Sequence, residues 1–458
     1  MAKYSSDGPK LDRHSVQNPG ARIRTTLTHM VLHSCLFLLL FLAAALLSGC
    51  KSIELMPTPN LYTEAKDDPF ADVPRTLRTT DADILYVTDR KPVQTKDGKL
   101  EYSYERSRSL AFGSCLVDIG KGLSWETIAA NSRVRSRAVP MPLSVRQINE
   151  QGRLPETPIP LIRTETGLVD DPNYEAQLKQ AAEKFRSEVT RRLSLTDRKE
   201  AFVFIHGNFA TFDDAAFMCT DLWHFLGRQG VPILYTWPAG IPTDMLQKYL
   251  HDRESGEFTV YHLKSFIRAL ALCKELKKIH IITHSWGTHV TISALRELFI
   301  QEWAAGGDPR KTFKIGNVVL AAPDLDLEVI SQRSSAERLF RGVDSATVYI
   351  SVADKDIGAS KWLNVSRQRV GSALVQDLSV ARKKELEAVD RLHVVSALVQ
   401  PEFSSHYYFL ESPSVSSDLI LLLRYNRDPG AENGRPLIRT GLANYWQIFE
   451  GYPGGQKN

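Results

Sequence analysis

Five cysteines in 458 residues, with no C-x-x-C pair and no zinc-like spacing, exclude a disulfide scaffold and a structural zinc module. Two of them, Cys35 and Cys50, fall in the first 50 residues. Cys115, Cys219 and Cys273 allow at most one disulfide and are expected as small buried residues, because a chain this long builds a core without staples. Excess charge is equally scarce. The net charge is +4, and residues 1–49 carry five basic and two acidic residues. Subtracting that +3 leaves +1 for the remainder, which excludes the basic footprint of a nucleic-acid binder. No internal repeat or low-complexity tract is present, so solenoids and disordered scaffolds are set aside. No metal constellation or cofactor motif occurs, and neither is expected. What is present, 43% hydrophobic and 24% charged residues, is ordinary for a globular protein.

The longest apolar run, Val31 to Leu47, follows a basic stretch and is about as long as the shortest spanning helices. It is a signal peptide or an uncleaved anchor. The residues after it, Leu47-Ser48-Gly49-Cys50, resemble the lipobox of bacterial lipoproteins. That resemblance implies lipid attachment to Cys50, cleavage after Gly49 and export to the cell envelope. Lys51 rather than aspartate after the cysteine implies the outer membrane, facing the periplasm. The stretch before the run is long, so initiation at Met30 competes with Met1; from either start the body is exported.

Residues 50–80, with Pro57, Pro59, Pro69 and Pro74 and no apolar period, are expected to form a tether. Residues 81–430 are expected to form one domain with a core at about 200–425, followed by a C-terminal tail, 431–458. Two β-like runs, 83–88 and 110–119, open the domain as an N-terminal β extension. Residues 131–171 hold five prolines and are expected to wander over the surface, before a helix at 174–193. From residue 201, short apolar runs at 201–205, 231–235, 279–282, 316–321 and 346–352 alternate with helical stretches at 212–227, 256–277 and 286–300. A strand at 392–398 and a helix at 414–424 close the body. This rhythm implies an α/β fold: a mostly parallel, doubly wound sheet with helices on both faces.

The segment KKIHIITHSWGTHVTISALREL reads strand, sharp turn, helix, with Ser285 at the turn. A serine there stands exposed at the carboxyl end of a strand beside the amide-rich start of a helix, as in the G-x-S-x-G nucleophile elbow. Thr283 replaces the first glycine. An acid and then a histidine should follow in chain order, the order of the α/β-hydrolase fold. Three histidines follow Ser285. His289 lies one turn along the same helix and is expected to point into the body, and His393 sits inside an apolar strand run. His406, in a polar loop, is left as the base. Asp354 ends the run TVYISVA and is the preferred acid, with Asp324 in APDLD as the alternative. The backbone N–H groups of Trp286 and Asn208 are the expected oxyanion donors, with Phe209 as an additional candidate. His206 precedes the serine in the chain and is read as structural.

The stretches FIHGNFATFDDA, YTWPAG, HDRESGEF, IITHSWG, NVVLAAPDLD, YISVADKD and SHYYFLESP, in order from about 202 to 413, resemble bacterial α/β-hydrolases of the family catalogued as domain of unknown function 900. MPTPNLY and LYVTDRK resemble extensions found in lipoprotein members. The family's elbow is usually A-H-S-M-G; here Thr283 and Trp286 depart from it, and the larger Trp286 is expected to narrow the acyl pocket. Asp252, Arg253 and Glu254 are read as a structural ion-pair cluster. The aromatic residues Trp237, Trp286, Tyr407 and Tyr408 suggest an apolar pocket. The expected activity is that of a serine hydrolase acting on a small-molecule or lipid ester. The same machinery serves a thioester or amide, and a non-catalytic envelope scaffold on a hydrolase fold is the competing class.

Overall fold

A computed structural model of the chain describes residues 53–66, 68–363, 368–373, 375–398 and 406–454. The leader, Cys35 and Cys50 lie outside the described residues, and no described helix is long and apolar enough to cross a membrane. Thirteen described strands occur: β1 (Asp81–Gln94), β2 (Leu100–Ile119), β3 (Leu143–Arg153), β4 (Leu161–Thr164), β5 (Gly167–Asp170), β6 (Glu200–Ile205), β7 (Val231–Thr236), β8 (Lys278–His284), β9 (Ile315–Ala321), β10 (Ser345–Ile350), β11 (Leu392–Ala397), β12 (Ile438–Arg439) and β13 (Tyr445–Ile448). Eleven form one sheet in the order β12-β13-β11-β10-β9-β8-β6-β7-β1-β2-β3, while β4 and β5 make a separate hairpin. The pairs from β1 and β7 across to β11 and β13 are parallel, with antiparallel pairs only at the two margins. The chain is an α/β protein of the doubly wound type.

Continuous apolar runs become parallel strands because both faces are covered: every residue of β7 and β9 is buried. Six helices position the site: α1 (Pro172–Leu193), α2 (Phe212–Phe225), α3 (Met245–Ala271), α4 (Gly287–Ala304), α5 (Lys355–Leu363) and α6 (Pro413–Leu423). Helices α1, α3 and α4 close one apolar core on one face, and α2 and α6 close a second on the other. From β6 the chain moves outward on one side to β7, then returns to place β8 on the other side. The order reverses between β6 and β8, and in open α/β sheets it is beside such a reversal, at the strands' carboxyl ends, that ligands bind.

Several expectations are corrected. Helix α3 begins at Met245, not near 256, with the Asp244 side chain capping the N–H groups of Leu246 and Gln247. Its first turns carry no buried apolar stripe; Met245, Leu246 and Leu250 are exposed, so their periodicity was uninformative. The surface stretch 131–171 contains β3, whose flanking prolines, Pro142 and Pro155, punctuate a strand rather than interrupt one. The tail expected at 431–458 contributes β12 and β13, and Arg435 and Tyr452 are buried against Asp418. One expectation needs no correction: Cys115, Cys219 and Cys273 are free and buried, and burial pushes their thiols up.

The expected tether is likewise part of the body from residue 53 on. Leu55, Met56, Tyr62, Phe70 and Val73 are buried in the α2–α6 core. Isolated apolar residues at irregular spacing carry no period, so their docking was not legible. The Met56 N–H donates to Asp221 Oδ1 at 2.9 Å, and Arg137 donates to the carbonyls of Leu55 and Met56. Burial raises the Asp221 carboxyl to about 7, while the Met56 bond and Arg137 pull the other way. The folded chain therefore holds a proton there that the unfolded chain has lost, and stability falls as pH rises from about 4 to about 7. Asp221→Asn keeps an oxygen for the Met56 N–H and removes this loss. The substitution is expected to stabilise by on the order of 2 kcal/mol more at pH 8 than at pH 5. Denaturant unfolding at the two pH values measures it, and an equal effect at both would contradict the assignment.

Candidate active site

Strand β8 delivers the chain to the elbow. Ser285 has φ +54°, a left-handed conformation that costs a non-glycine residue on the order of 1–3 kcal/mol and recurs at functional turns. The surroundings hold it there. Its N–H donates to Ala321 O at 3.0 Å, and its carbonyl accepts from the Thr288 N–H at 3.1 Å and the Thr288 hydroxyl at 2.5 Å. Helix α4 starts two residues later at Gly287, where a Cβ would lie 2.3 Å from His206 O. Glycine is therefore required for α4 to approach the β6 loop. Thr283, in the position of the usual first glycine, is fully buried, and its hydroxyl accepts from Thr291 at 3.2 Å. A polar side chain fits because α4 supplies a partner for it.

Among the sequence candidates for acid and base, His406 and Asp354 meet. His406 Nδ1–H donates to Asp354 Oδ2 at 2.7 Å, with both residues buried. Asp354 Oδ1 accepts the N–H groups of Asp356 and Ile357 at 3.0 and 3.1 Å, so the carboxylate caps the start of α5. Asp324 is turned elsewhere: Oδ1 accepts from Ser360 at 2.7 Å and lies 3.0 Å from Arg369 Nε, in a buried ion pair. The structure places Asp354, not Asp324, on the imidazole.

His284 joins base to elbow, and the sequence reading missed it. Its Nε2–H donates to His406 O at 3.1 Å, and the two rings are 4.6 Å apart between centroids. Tyr407 and Phe409 flank the same ring at 5.0 Å. Burial, with His406 beside it, holds the His284 imidazole well below its usual value, so it stays neutral. The signal was a histidine at the buried end of a strand, directly before the serine.

The β6 loop, residues 206–211, faces the elbow. At Gly207 a Cβ would meet Ser285 Cβ at 2.5 Å, so glycine lets the loop backbone touch the serine. Among the described residues no protein group accepts from the N–H of Asn208 or of Trp286. The Phe209 N–H is taken, at 2.7 Å, by Asp252 Oδ2, which leaves Phe209 no free donor. His206 is fully buried: Nδ1–H donates to Gly207 O at 2.8 Å, and Nε2 accepts from the Trp237 N–H at 3.1 Å. Burial next to Arg90 lowers it to about 3, a neutral structural ring.

Other candidates are relocated. Asp252 binds backbone amides of Phe209 and Gly240, while Arg253 lies over the Trp286 ring at 4.7 Å, and Glu254 is exposed. Asp252 thus holds two loop amides, with His251 Nδ1 also 3.0 Å from its Oδ1, and Arg253 covers an indole; the three residues are not paired with one another in any described contact. His289 stacks on Trp286 with ring centroids 4.4 Å apart, and its Nε2–H donates to Glu257 Oε1 at 2.7 Å, so it does not point into the body. Trp286 is thereby buried under α3 beside Gly256. It does not line the apolar cavity of about 80 Å³ walled by Leu320, Leu325, Ile330, Phe340, Val348 and Val375. Trp237 and Tyr408 are also fully buried, so the expected aromatic pocket does not form from them. His393 sits on β11, half-buried, and burial lowers it to about 4. No group of three or more His, Cys, Asp or Glu among the described residues is placed to hold a metal ion.

The profile of the family described as "Alpha/beta hydrolase of unknown function (DUF900)" matches residues 181–424, more than half of the chain. The chain belongs to this family. The DUF900 region contains Asn208, Ser285, Trp286, Asp354 and His406, whereas β1, β2 and β3 lie outside it. Similar solved structures include a predicted CIB-like hydrolase of Thermoplasma acidophilum, 13% identical over 50% of this chain and 88% of that one, TM-score 0.27. An esterase of Pyrobaculum calidifontis is 13% identical over 54% and 93%, TM-score 0.27. Lipase B of Aspergillus fumigatus is 15% identical over 52% and 57%, TM-score 0.28. No curated protein matches the chain.

Proposed function

We propose that this DUF900 member is a serine hydrolase of carboxylic esters, working through Ser285, His406 and Asp354. The observation that carries the reading is the 2.7 Å bond from His406 Nδ1–H to the capped Asp354 carboxylate. That bond fixes the tautomer that leaves Nε2 as a base. Ser285 Oγ attacks the ester carbonyl while His406 takes its proton. The oxyanion accepts from the Trp286 and Asn208 N–H groups. Collapse expels the alcohol, protonated by His406, and leaves an acyl-serine. Water then adds with His406 as base and releases the acid. The test is a fluorophosphonate, which must form a stoichiometric adduct on the peptide containing Ser285. A wild type that stays unlabelled favours the non-catalytic scaffold instead.

The lipobox-like Leu47-Ser48-Gly49-Cys50 supports a second part of the reading, that lipid on Cys50 anchors the protein in the bacterial envelope, at the outer membrane and facing the periplasm. Cys50→Ser is expected to move the protein from the membrane to the soluble fraction and to abolish incorporation of radiolabelled palmitate. A variant that still incorporates palmitate would overturn the lipoprotein assignment.

A further inference from the structure

The serine-hydrolase reading leaves unexplained why a fully buried cation from outside the DUF900 region sits beneath the Asn208 loop. Arg90 belongs to β1, is 1% exposed, and lies between two register shifts in the β1–β2 pairing, at Thr88/Arg90 and Arg90/Pro92. Such shifts bend a strand and re-aim a side chain. This one is aimed at loops that follow β6 and β7. Nε donates to Thr236 Oγ1 at 2.9 Å, Nη1 to Ala239 O at 2.9 Å and Ser103 O at 3.3 Å, and Nη2 to Ala210 O at 2.8 Å, with His206 Nε2 at 3.4 Å. The guanidinium thus meets five acceptors, as many as it has N–H groups.

Asn208 is held from both sides as a result. Gly207 abuts the nucleophile, Phe209 is kept at φ +68° by the bond from its N–H to Asp252, and Ala210 O is gripped by Arg90. Between these fixed points the Asn208 N–H has no acceptor among the described residues. Burial lowers the Arg90 guanidinium only to about 10, with Asp89 and Asp252 opposing the drop, so it is a cation at neutral pH. A buried positive charge and a pre-aimed N–H both favour an oxyanion over a neutral carbonyl.

Resting on the proposed function, we infer that Arg90 is a positioning residue for the oxyanion loop, and that the N-terminal β extension is thereby part of the catalytic apparatus rather than an accessory. Its contribution is made in the transition state and not in ground-state binding.

The test uses the whole chain, a fluorophosphonate and the p-nitrophenyl ester of a short acyl chain. Arg90→Ala is expected to lower kcat by about 100-fold with KM within about 3-fold of wild type. The phosphonate adduct should reach the wild-type stoichiometry, but about 100-fold more slowly. Arg90→Lys keeps the cation without the fork and should recover part of the loss. A merely structural role would lower the labelled fraction and leave turnover per labelled site unchanged, and that result overturns the inference. If Arg90→Ala does not fold, the same comparison is made on Arg90→Lys, where wild-type turnover per labelled site is again the overturning result. A wild type that labels on Ser285 while both variants behave normally refutes only the role of Arg90. A wild type that does not label refutes the underlying reading.

Discussion

Ser285→Ala is expected to lower ester turnover by on the order of 10⁶-fold and to abolish the phosphonate adduct, with thermal stability little changed. The size follows from the division of labour at the elbow. The hydroxyl is the group that forms the acyl intermediate, and His406 has no other serine at the crest of the turn to deprotonate. Stability should survive because the fold depends on the backbone of Ser285, not its side chain. The N–H is bonded to Ala321 O and the carbonyl to Thr288, and alanine retains both. The strain of φ +54° is similar for the two residues, since each carries a Cβ. Kinetics on a chromogenic ester, mass spectrometry of the labelled peptide and a melting curve measure the three parts. Retained turnover, or an adduct on a different residue, would sink the assignment of the nucleophile.

What could be read from the chain and what could not divide along a physical line. The parallel strands were legible because residues buried on both faces form unbroken apolar runs, as in β6 and β9. Ser285 was legible because strand, turn and helix occupy adjacent residues. The acid was ambiguous because Asp324 and Asp354 both follow a buried strand. Only tertiary partners separate them: Ser360 and Arg369 take one, and His406 takes the other. Arg90 was invisible for a stronger reason. Its acceptors are mostly backbone carbonyls and hydroxyls of loops 120 to 149 positions away, and backbone atoms leave no mark on a sequence. The docking of residues 53–80 was missed because the buried side chains there fall at irregular spacing, with no helical or strand period. Chemistry carried by neighbours in the chain is legible; chemistry assembled across loops is not.

Asp354→Asn is the sharper probe of the base. Asparagine caps helices as well as aspartate does, so the bonds from the Asp356 and Ile357 N–H groups can persist and the local fold should stand. Hydrogen bonding to His406 changes sign. The carboxylate accepts from Nδ1–H, whereas the amide can present its NH₂ to Nδ1 and stabilise the tautomer with the proton on Nε2. That tautomer cannot receive the serine's proton, and the negative charge that would stabilise the imidazolium is gone as well. Together these are expected to lower kcat by about 10⁴-fold at neutral pH. Asp324→Asn is the matched control. It unbalances the buried pair with Arg369, so a loss of stability of up to about 3 kcal/mol is expected, while turnover per labelled site stays near wild type. Active-site titration with the phosphonate separates the two effects, since it counts folded sites independently of their speed. If Asp324→Asn were the variant with the large fall in turnover per site, and Asp354→Asn the mild one, the carboxylate serving His406 would be Asp324, and the 2.7 Å contact would be only a helix cap's neighbour.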